Sequence, residues 1–494
     1  MAAGTGGRDH GAPMFRGAAV GLEDYPPKPT SLIAEETSQD RIGAEDEIDG
    51  PSKSSLKDAS DMRRMGKQQL LVRRFRQITI AAFIGTTTSA WEYALFLMSP
   101  GLIDGGMVGL LYNVLWSFFG FGAIYLSLAE MASMAPIGGS IYHLVSEFAP
   151  EKVQKGSSYI TGWTSTIAWQ AGFAQGVLLA GTLMQTIIQV MDEIYSFANW
   201  QGTVLTFAAI LISYLMGVYG ERALSYWQVP MFAIGTIAYF AFIVPVWVNA
   251  PKASHKAVWT GVSNTGGWPD MTLAVLVGQL SGISMQTGVD TAAHMAEEVR
   301  DAAIVVPRAM ITIFLVDVAL MFPLLVTVCY HLPDVQAALD DPTDYPATWI
   351  MRQAIKVDAQ RSIPVSANIF SCALSAILAL IYIGSPVAFY AVTSLNTVSL
   401  LQCYVFAIGC VLWRRLTRPE TLPPARFSLG RWGMPVNVAA MLYSVWSFFW
   451  CFWPQAQPVN GVRVQLGWSA VRPSTHCVGT ILFQGQTPLR RAGD

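Results

Sequence analysis

The chain has 494 residues, 52% of them hydrophobic, 12% aromatic and 13% charged, with mean hydropathy +0.39, net charge −2 and a pI near 6.3. Soluble domains carry about 25% charged residues, so the composition points to a polytopic membrane protein, and without a basic excess it argues against nucleic acid as a partner. Six cysteines (Cys329, Cys372, Cys403, Cys410, Cys451, Cys477) are scattered, mostly in apolar runs, with no spacing that would build a metal site or disulfide frame.

Residues 1–70 are rich in Gly, Pro, Ser, Asp and Lys and show no apolar period. They offer too little apolar surface to offset chain entropy and are expected to form a disordered cytoplasmic tail. No cleaved signal peptide is recognisable after Met1. Lys67, Arg73, Arg74 and Arg76 precede the first span, where positive residues hold the N-terminus in the cytoplasm. The membrane domain is expected over residues 71–458. Its apolar segments fall at 77–98, 107–133, 159–191, 202–218, 227–248, 271–290, 308–331, 364–383, 387–412 and 434–453. Each approaches or exceeds the ~20 residues that span a bilayer as a helix, giving about ten crossings. Gly172 with Gly176, and Gly278 with Gly282, repeat at the four-residue spacing that permits close helix contact.

Two segments are interrupted by polar residues. The first holds Gly85, Thr86, Thr87, Thr88, Ser89 and Glu92 in its middle, and an acidic residue there costs roughly 2.5 to 3.5 kcal/mol on insertion scales. The sixth carries Gly282, Ser284, Gln286, Thr287 and Gly288, all poor helix supports, followed by Asp290. Freed backbone groups are tolerated at membrane depth only where they line a cavity, so both segments are expected to be discontinuous helices. Breaks in the first and sixth spans, with four ordinary spans between, fit a five-helix unit occurring twice in opposite orientation.

Charge parity exposes a gap. With the N-terminus inside, the loop holding Arg414, Arg415, Arg418, Arg426 and Arg431 falls outside, against the positive-inside tendency. An odd number of spans is missing, and residues 331–362 begin acidic and end basic, as though an outer loop were joined directly to an inner one.

Several ordered motifs carry a resemblance: TTTSAWE (Thr86 to Glu92), SLAEMASMAPIGGSIYHLVSEFAP (Ser127 to Pro150), ITGWTS (Ile160 to Ser165), HMAEEVRDAAIVVPRAM (His294 to Met310) and LGRWGMPVN (Leu429 to Asn437). From about Arg73 to about Pro458 the chain resembles the fungal branch of the amino acid-polyamine-organocation superfamily, most closely the permeases for amino acids, GABA and choline. The resemblance implies a leucine-transporter-like, all-α fold of twelve helices that moves an amino acid or related amine by alternating access, driven by protons. The plasma membrane is favoured over the vacuole. Two departures from the family stand out. An eighth span and its Arg-rich turn are missing before Ile363, and residues 459–494 are too polar to form the twelfth. The product as written is therefore expected to be a poor transporter.

Carried over position by position, the resemblance places substrate contacts at Thr87, Thr88, Ser89, Trp91, Glu92 and Tyr93 on the first break and at Ser284, Gln286, Thr287 and Gly288 on the second. Proton coupling falls to Asp290 and Glu92. Freed amides would receive a substrate carboxylate, and freed carbonyls and acidic side chains its ammonium. Glu92 has alternatives as a cap of the second half-helix or as partner of a buried cation, and Trp91 reads as an aromatic lid over an amine. Glu297, Glu298 and Arg300 read as a cytoplasmic salt-bridge network; one histidine beside two glutamates lacks the histidine pair of a zinc helix. No metal, cofactor or enzyme activity is expected, since no nucleophile elbow or phosphate-binding loop occurs. A non-transporting nutrient sensor and an inactive truncated isoform are the competing readings.

Overall fold

The computed structural model describes residues 53–65, 73–191, 199–219, 221–341, 345–356 and 386–454. The expected span at 364–383, the tail at 459–494, Cys372 and Cys477 lie outside the described residues. The elements are helices α1 (Lys53–Arg64), α2 (Gln77–Thr88), α3 (Ala90–Leu97), α4 (Ser99–Ile103), α5 (Gly106–Met134), α6 (Ser140–Phe148), α7 (Glu151–Met191), α8 (Asn199–Tyr219) and α9 (Glu221–Asn249), then α10 (His255–Thr260), α11 (Met271–Val277), α12 (Gln279–Ser284), α13 (Thr291–His294), α14 (Ala302–Tyr330), α15 (Val335–Leu339), α16 (Pro346–Lys356), α17 (Pro386–Thr417) and α18 (Gly433–Trp450). Six helices among the described residues are long and apolar enough to cross a membrane, within α5, α7, α8, α9, α14 and α17.

The expected first span is two helices, α2 and α3, and the expected sixth contains two short ones, α11 and α12, with α13 just beyond its end. Within the stretch 1–70, read from composition as structureless, residues 53–64 form α1, with Asp58 and Met62 buried. Composition gave no sign of α1 because its order comes from partners far along the chain: Asp58 accepts from the Asp301 amide and pairs with Arg73 at 3.5 Å, and Arg64 donates to Met134 O.

The buried apolar side chains form two main clusters. One gathers Ile80 and Ile84 of α2 with Tyr125, Phe148 and Tyr404; the other gathers Ala90, Trp91 and Leu95 of α3 with Met107, Met321 and Ile350. The boundary between them runs through the α2–α3 junction. It also runs past the end of α12, where Ile283 belongs to the first cluster and Met285 to the second. Helices α8 and α9 present broad apolar faces outward, including Phe207, Leu211, Tyr214 and Phe240. Cys329, Cys403, Cys410 and Cys451 are buried free thiols.

Of the small-residue pairs, the second makes the closer contact. A Cβ at Gly278 would lie 2.0 Å from Asp104 O, and one at Gly282 3.1 Å from Asn113 O, whereas at Gly172 the nearest atoms are those of Asn396 at 3.5 Å. Gly278→Ala is therefore expected to lose stability by about 1–3 kcal/mol, the usual cost of overpacking, with Gly172→Ala close to neutral; thermal unfolding of the two purified variants checks the contrast.

Asp104, at the α4–α5 turn, is fully buried, and neither carboxylate oxygen has a hydrogen-bond partner. Burial pushes its carboxyl up to about 8 from 3.8, with Trp268 acting in the opposite direction. The folded state thus binds this proton more tightly than the unfolded chain, so stability falls as pH rises from about 4 to about 8 and the penalty is constant above that. Asp104→Asn is expected to flatten the decline in unfolding midpoint between pH 5 and pH 9; an unchanged slope would exclude Asp104 as its source.

Candidate functional site

Helix α2 ends because its last turn is polar and its side chains compete for its own carbonyls. Thr86 Oγ1 lies 2.9 Å from Ala82 O, Thr87 Oγ1 2.8 Å from Phe83 O, Thr88 Oγ1 3.0 Å from Ile84 O and Ser89 Oγ 2.7 Å from Thr86 O. Ser89 then adopts φ 42°, ψ 42°, the left-handed region that a non-glycine residue enters at a cost. Its amide still reaches Gly85 O, and its carbonyl receives the Tyr93 amide at 2.9 Å, so α3 starts at once at Ala90.

The second interruption begins after Ser284. Gly288 takes φ 109°, a conformation that L side chains rarely adopt. A Cβ there would find room, with Thr88 Cγ2 nearest at 3.7 Å, so the glycine is required by backbone angle and not by crowding, and the two breaks are neighbours at this point. Thr287 Oγ1 donates to Ser284 O at 2.9 Å and Ser284 Oγ meets Thr397 Oγ1 of α17 at 2.9 Å. Gln286 is buried; its Nε2 donates to Ser117 Oγ at 2.5 Å and to Gly282 O at 2.9 Å, while its Oε1 has no partner.

Asp290 is buried and well supplied with donors. Tyr404 Oη donates to Oδ1 at 2.8 Å and Trp169 Nε1 to Oδ2 at 3.2 Å, and His294 Nε2 lies 3.5 Å from Oδ2. This carboxylate therefore ties the second break to α7 and α17. Glu92, on the first turn of α3, has its Oε2 buried without a hydrogen bond, and its Oε1 lies against Gly235 of α9.

The expected site residues separate into two groups. Thr88, Ser89, Ser284, Gln286, Thr287, Gly288 and Asp290 surround the two breaks. Thr87 is exposed, its hydroxyl turned back on Phe83 O, because one residue along a helix rotates the side chain by about 100° from Thr88. Trp91 is 9% exposed and packs edge-to-face on Tyr239 at 5.5 Å within an apolar cluster. Tyr93 lies one helical turn past Ser89 and is half-buried.

The residues Glu297, Glu298 and Arg300 form part of a dense polar junction that includes the chain just before α2. Glu297 Oε1 accepts from the Gly138 amide at 3.1 Å, and the Glu298 carbonyl and Arg300 amide bracket Phe75 at 3.0 Å each. Arg73 donates to Val299 O, and Arg300 Nε to Arg73 O. Ion pairs among the described residues include Arg73 with Asp58, Arg415 with Glu130 at 2.5 Å and Arg426 with Asp301 at 2.5 Å.

Also missed were Tyr404, Trp169 and Asp317. Asp317, in the middle of α14, is 8% exposed and accepts from Thr88 Oγ1 at 3.0 Å. A single acid in the otherwise apolar run 308–331 was the available signal. Among the described residues no cluster of three or more His, Cys, Asp or Glu side chains could hold a metal ion.

A family model described as amino acid permease matches residues 75–356. The chain is 22% identical over 439 residues to a protein named as an amino acid/polyamine transporter of Macrophomina phaseolina (76% of this chain, 94% of that protein). It is 23% identical over 434 residues to an amino-acid permease of Arabidopsis thaliana (73% and 82%) and 20% identical over 423 residues to a choline transporter of Saccharomyces cerevisiae (76% and 74%).

The Asp290 cross-brace predicts a specific cost. Tyr404→Phe keeps the ring and removes one donor from a buried carboxylate, a loss of about 1–3 kcal/mol. A clearly lower unfolding midpoint is expected, and a smaller drop for Trp169→Phe, whose bond is the longer of the two.

Proposed function

This chain belongs to the amino acid permease family, and we propose that it is built as a secondary active, proton-coupled transporter of an amino acid or related amine, working by alternating access. It is an integral membrane protein and a transporter by family, not an enzyme. The observation that carries the finer reading is the meeting of two interrupted helices along a polar boundary between two apolar clusters, with Gly288 beside Thr88. Such breaks place half-helix ends, with their partial charges, where a small zwitterion can be held.

In this reading the amides opening α3 face the substrate carboxylate, and the carbonyls near Thr88 and Gln286, with acidic side chains, face its ammonium. Glu92 and Asp290 remain the carboxylates expected to take part in coupling. The breaks in the first and sixth expected spans support a leucine-transporter-like inverted repeat. The broad apolar faces of α8 and α9 fit lipid contact, and the basic residues before α2 fit a cytoplasmic N-terminus in the plasma membrane. GABA and choline, or a neutral amino acid, are the substrates to try first.

A second reading has its own support. The alignment with the Macrophomina protein runs over 439 positions yet takes up 76% of these 494 residues, so that relative carries segments with no counterpart here. This fits a missing eighth span and an isoform of low activity.

Uptake of labelled GABA, choline and neutral amino acids, in cells lacking their own permeases, tests both. The first reading expects uptake raised several-fold by an inward proton gradient and abolished by a protonophore. The second expects background uptake that is restored when an eighth span from a relative is inserted before Ile363. Ligand-triggered signalling with no uptake by either chain would replace both with a sensor.

A further inference from the structure

Asp317 is the sole acidic residue of α14 and lies near the midpoint of that helix. It borders a small cavity of about 10 Å³, whose polar lining is Thr88, Tyr125, Gln286 and Asp317 and whose apolar walls include Phe314 and Val318. That is room for about one water molecule. Two features distinguish the cavity from a packing defect. Gln286, 4% exposed, lines it with an Oε1 that has no partner, and Asp317 has one hydrogen bond, from Thr88, and no ion pair among the described residues.

A lone buried carboxylate is unfavourable in its charged form unless paired. Asp290 is supported by Tyr404 and Trp169 and lies close to His294. Asp317 has no comparable support. Of the elements packed on α14, α3 brings Glu92 and α5 brings Tyr125, which also lies near Asp290; α2 brings the neutral Thr88, and the described part of α9 carries no charged side chain at this level.

Resting on the reading of this chain as a proton-coupled carrier, we propose that Asp317 binds and releases the coupled proton through a water in this cavity, and that Thr88 converts its charge state into a change at the first break. Thr88 has one hydroxyl hydrogen and two acceptors, Ile84 O and Asp317 Oδ2, each at 3.0 Å. With Asp317 protonated, its O–H donates to Thr88 Oγ1 or to the water, and Thr88 donates to Ile84 O. On ionisation the proton leaves through the water to the open side of the membrane. Thr88 then turns its hydrogen to the carboxylate, and Ile84 O at the end of α2 loses that side-chain hydrogen bond. No group other than the proton is transferred, and the charge left on Asp317 is held by the Thr88 hydrogen bond until a proton returns.

Infrared difference spectra of the purified full chain, recorded across a pH titration, test this directly. The carboxylic-acid C=O absorption gained on acidification is expected to contain a component, separate from that of Asp104, that is lost in Asp317→Asn, persists at a shifted position in Asp317→Glu and survives in Asp290→Asn and Asp104→Asn. Stimulation of uptake by a proton gradient is expected to vanish in Asp317→Asn while substrate exchange at equal pH continues. An absorption change that is the same in Asp317→Asn as in the unaltered chain, or a component lost in Asp317→Asn that is equally lost in Asp290→Asn with the fold unchanged by thermal unfolding, overturns the assignment. If no substrate is carried by any chain but the band still depends on Asp317, the transport reading fails and Asp317 stands as the proton-binding group.

Discussion

An interrupted helix inside a bilayer survives only if the backbone groups it releases find partners within the protein, because hydrocarbon supplies none. Much of the described structure can be understood as meeting that demand. At the first break the hydroxyls of Thr86, Thr87, Thr88 and Ser89 occupy the carbonyls of the last turn of α2. At the second, Thr287, Gln286 and Ser284 bond within the loop or across to α5 and α17, and Asp290 receives Tyr404 and Trp169. The polar residues are therefore both the cause of the breaks and the means of tolerating them. Gln286 Oε1 and Glu92 Oε2, near the breaks, are among the buried atoms without a hydrogen-bond partner.

The two breaks were legible because each disturbs a long apolar run with residues that lower helix stability, and that signal is local. Gly288 illustrates it well: a glycine after Gln286 and Thr287 in a membrane span announces a backbone angle that other residues resist, and φ is 109° there. The partners were not legible. Tyr404 and Trp169 reach Asp290 from helices more than a hundred residues away in sequence, and nothing in their own neighbourhoods distinguishes them from packing aromatics. Trp91 is the converse case, since proximity in sequence to a break does not fix which way a side chain faces; its indole joins the apolar cluster beside Tyr239. Asp317 was within reach of inspection and was passed over because its span looked ordinary in every other respect.

The N-terminal stretch shows the limit of composition. Lys53–Arg64 is polar and short, with no core of its own, and an isolated helix of that length is marginal in water. Asp58 and Arg64 nonetheless find fixed partners in Asp301, Arg73 and Met134, so the stability of α1 is borrowed from a surface assembled by later parts of the chain. At Asp301 a left-handed residue just before α14 supplies the amide for Asp58 and a carboxylate for Arg426.

Phe75 and its neighbours give this arrangement a mechanical meaning. The amide and carbonyl of Phe75 bond the Glu298 carbonyl and the Arg300 amide, and the side chains of Arg73 and Arg300 repeat the link in both directions. The root of α2 and the segment leaving α13 are thus riveted together, two short rungs of backbone on either side of one aromatic ring. A load applied to the root of α2 is therefore passed to the segment after α13, while helical stiffness is interrupted further along each element, at Ser89 and at Gly288.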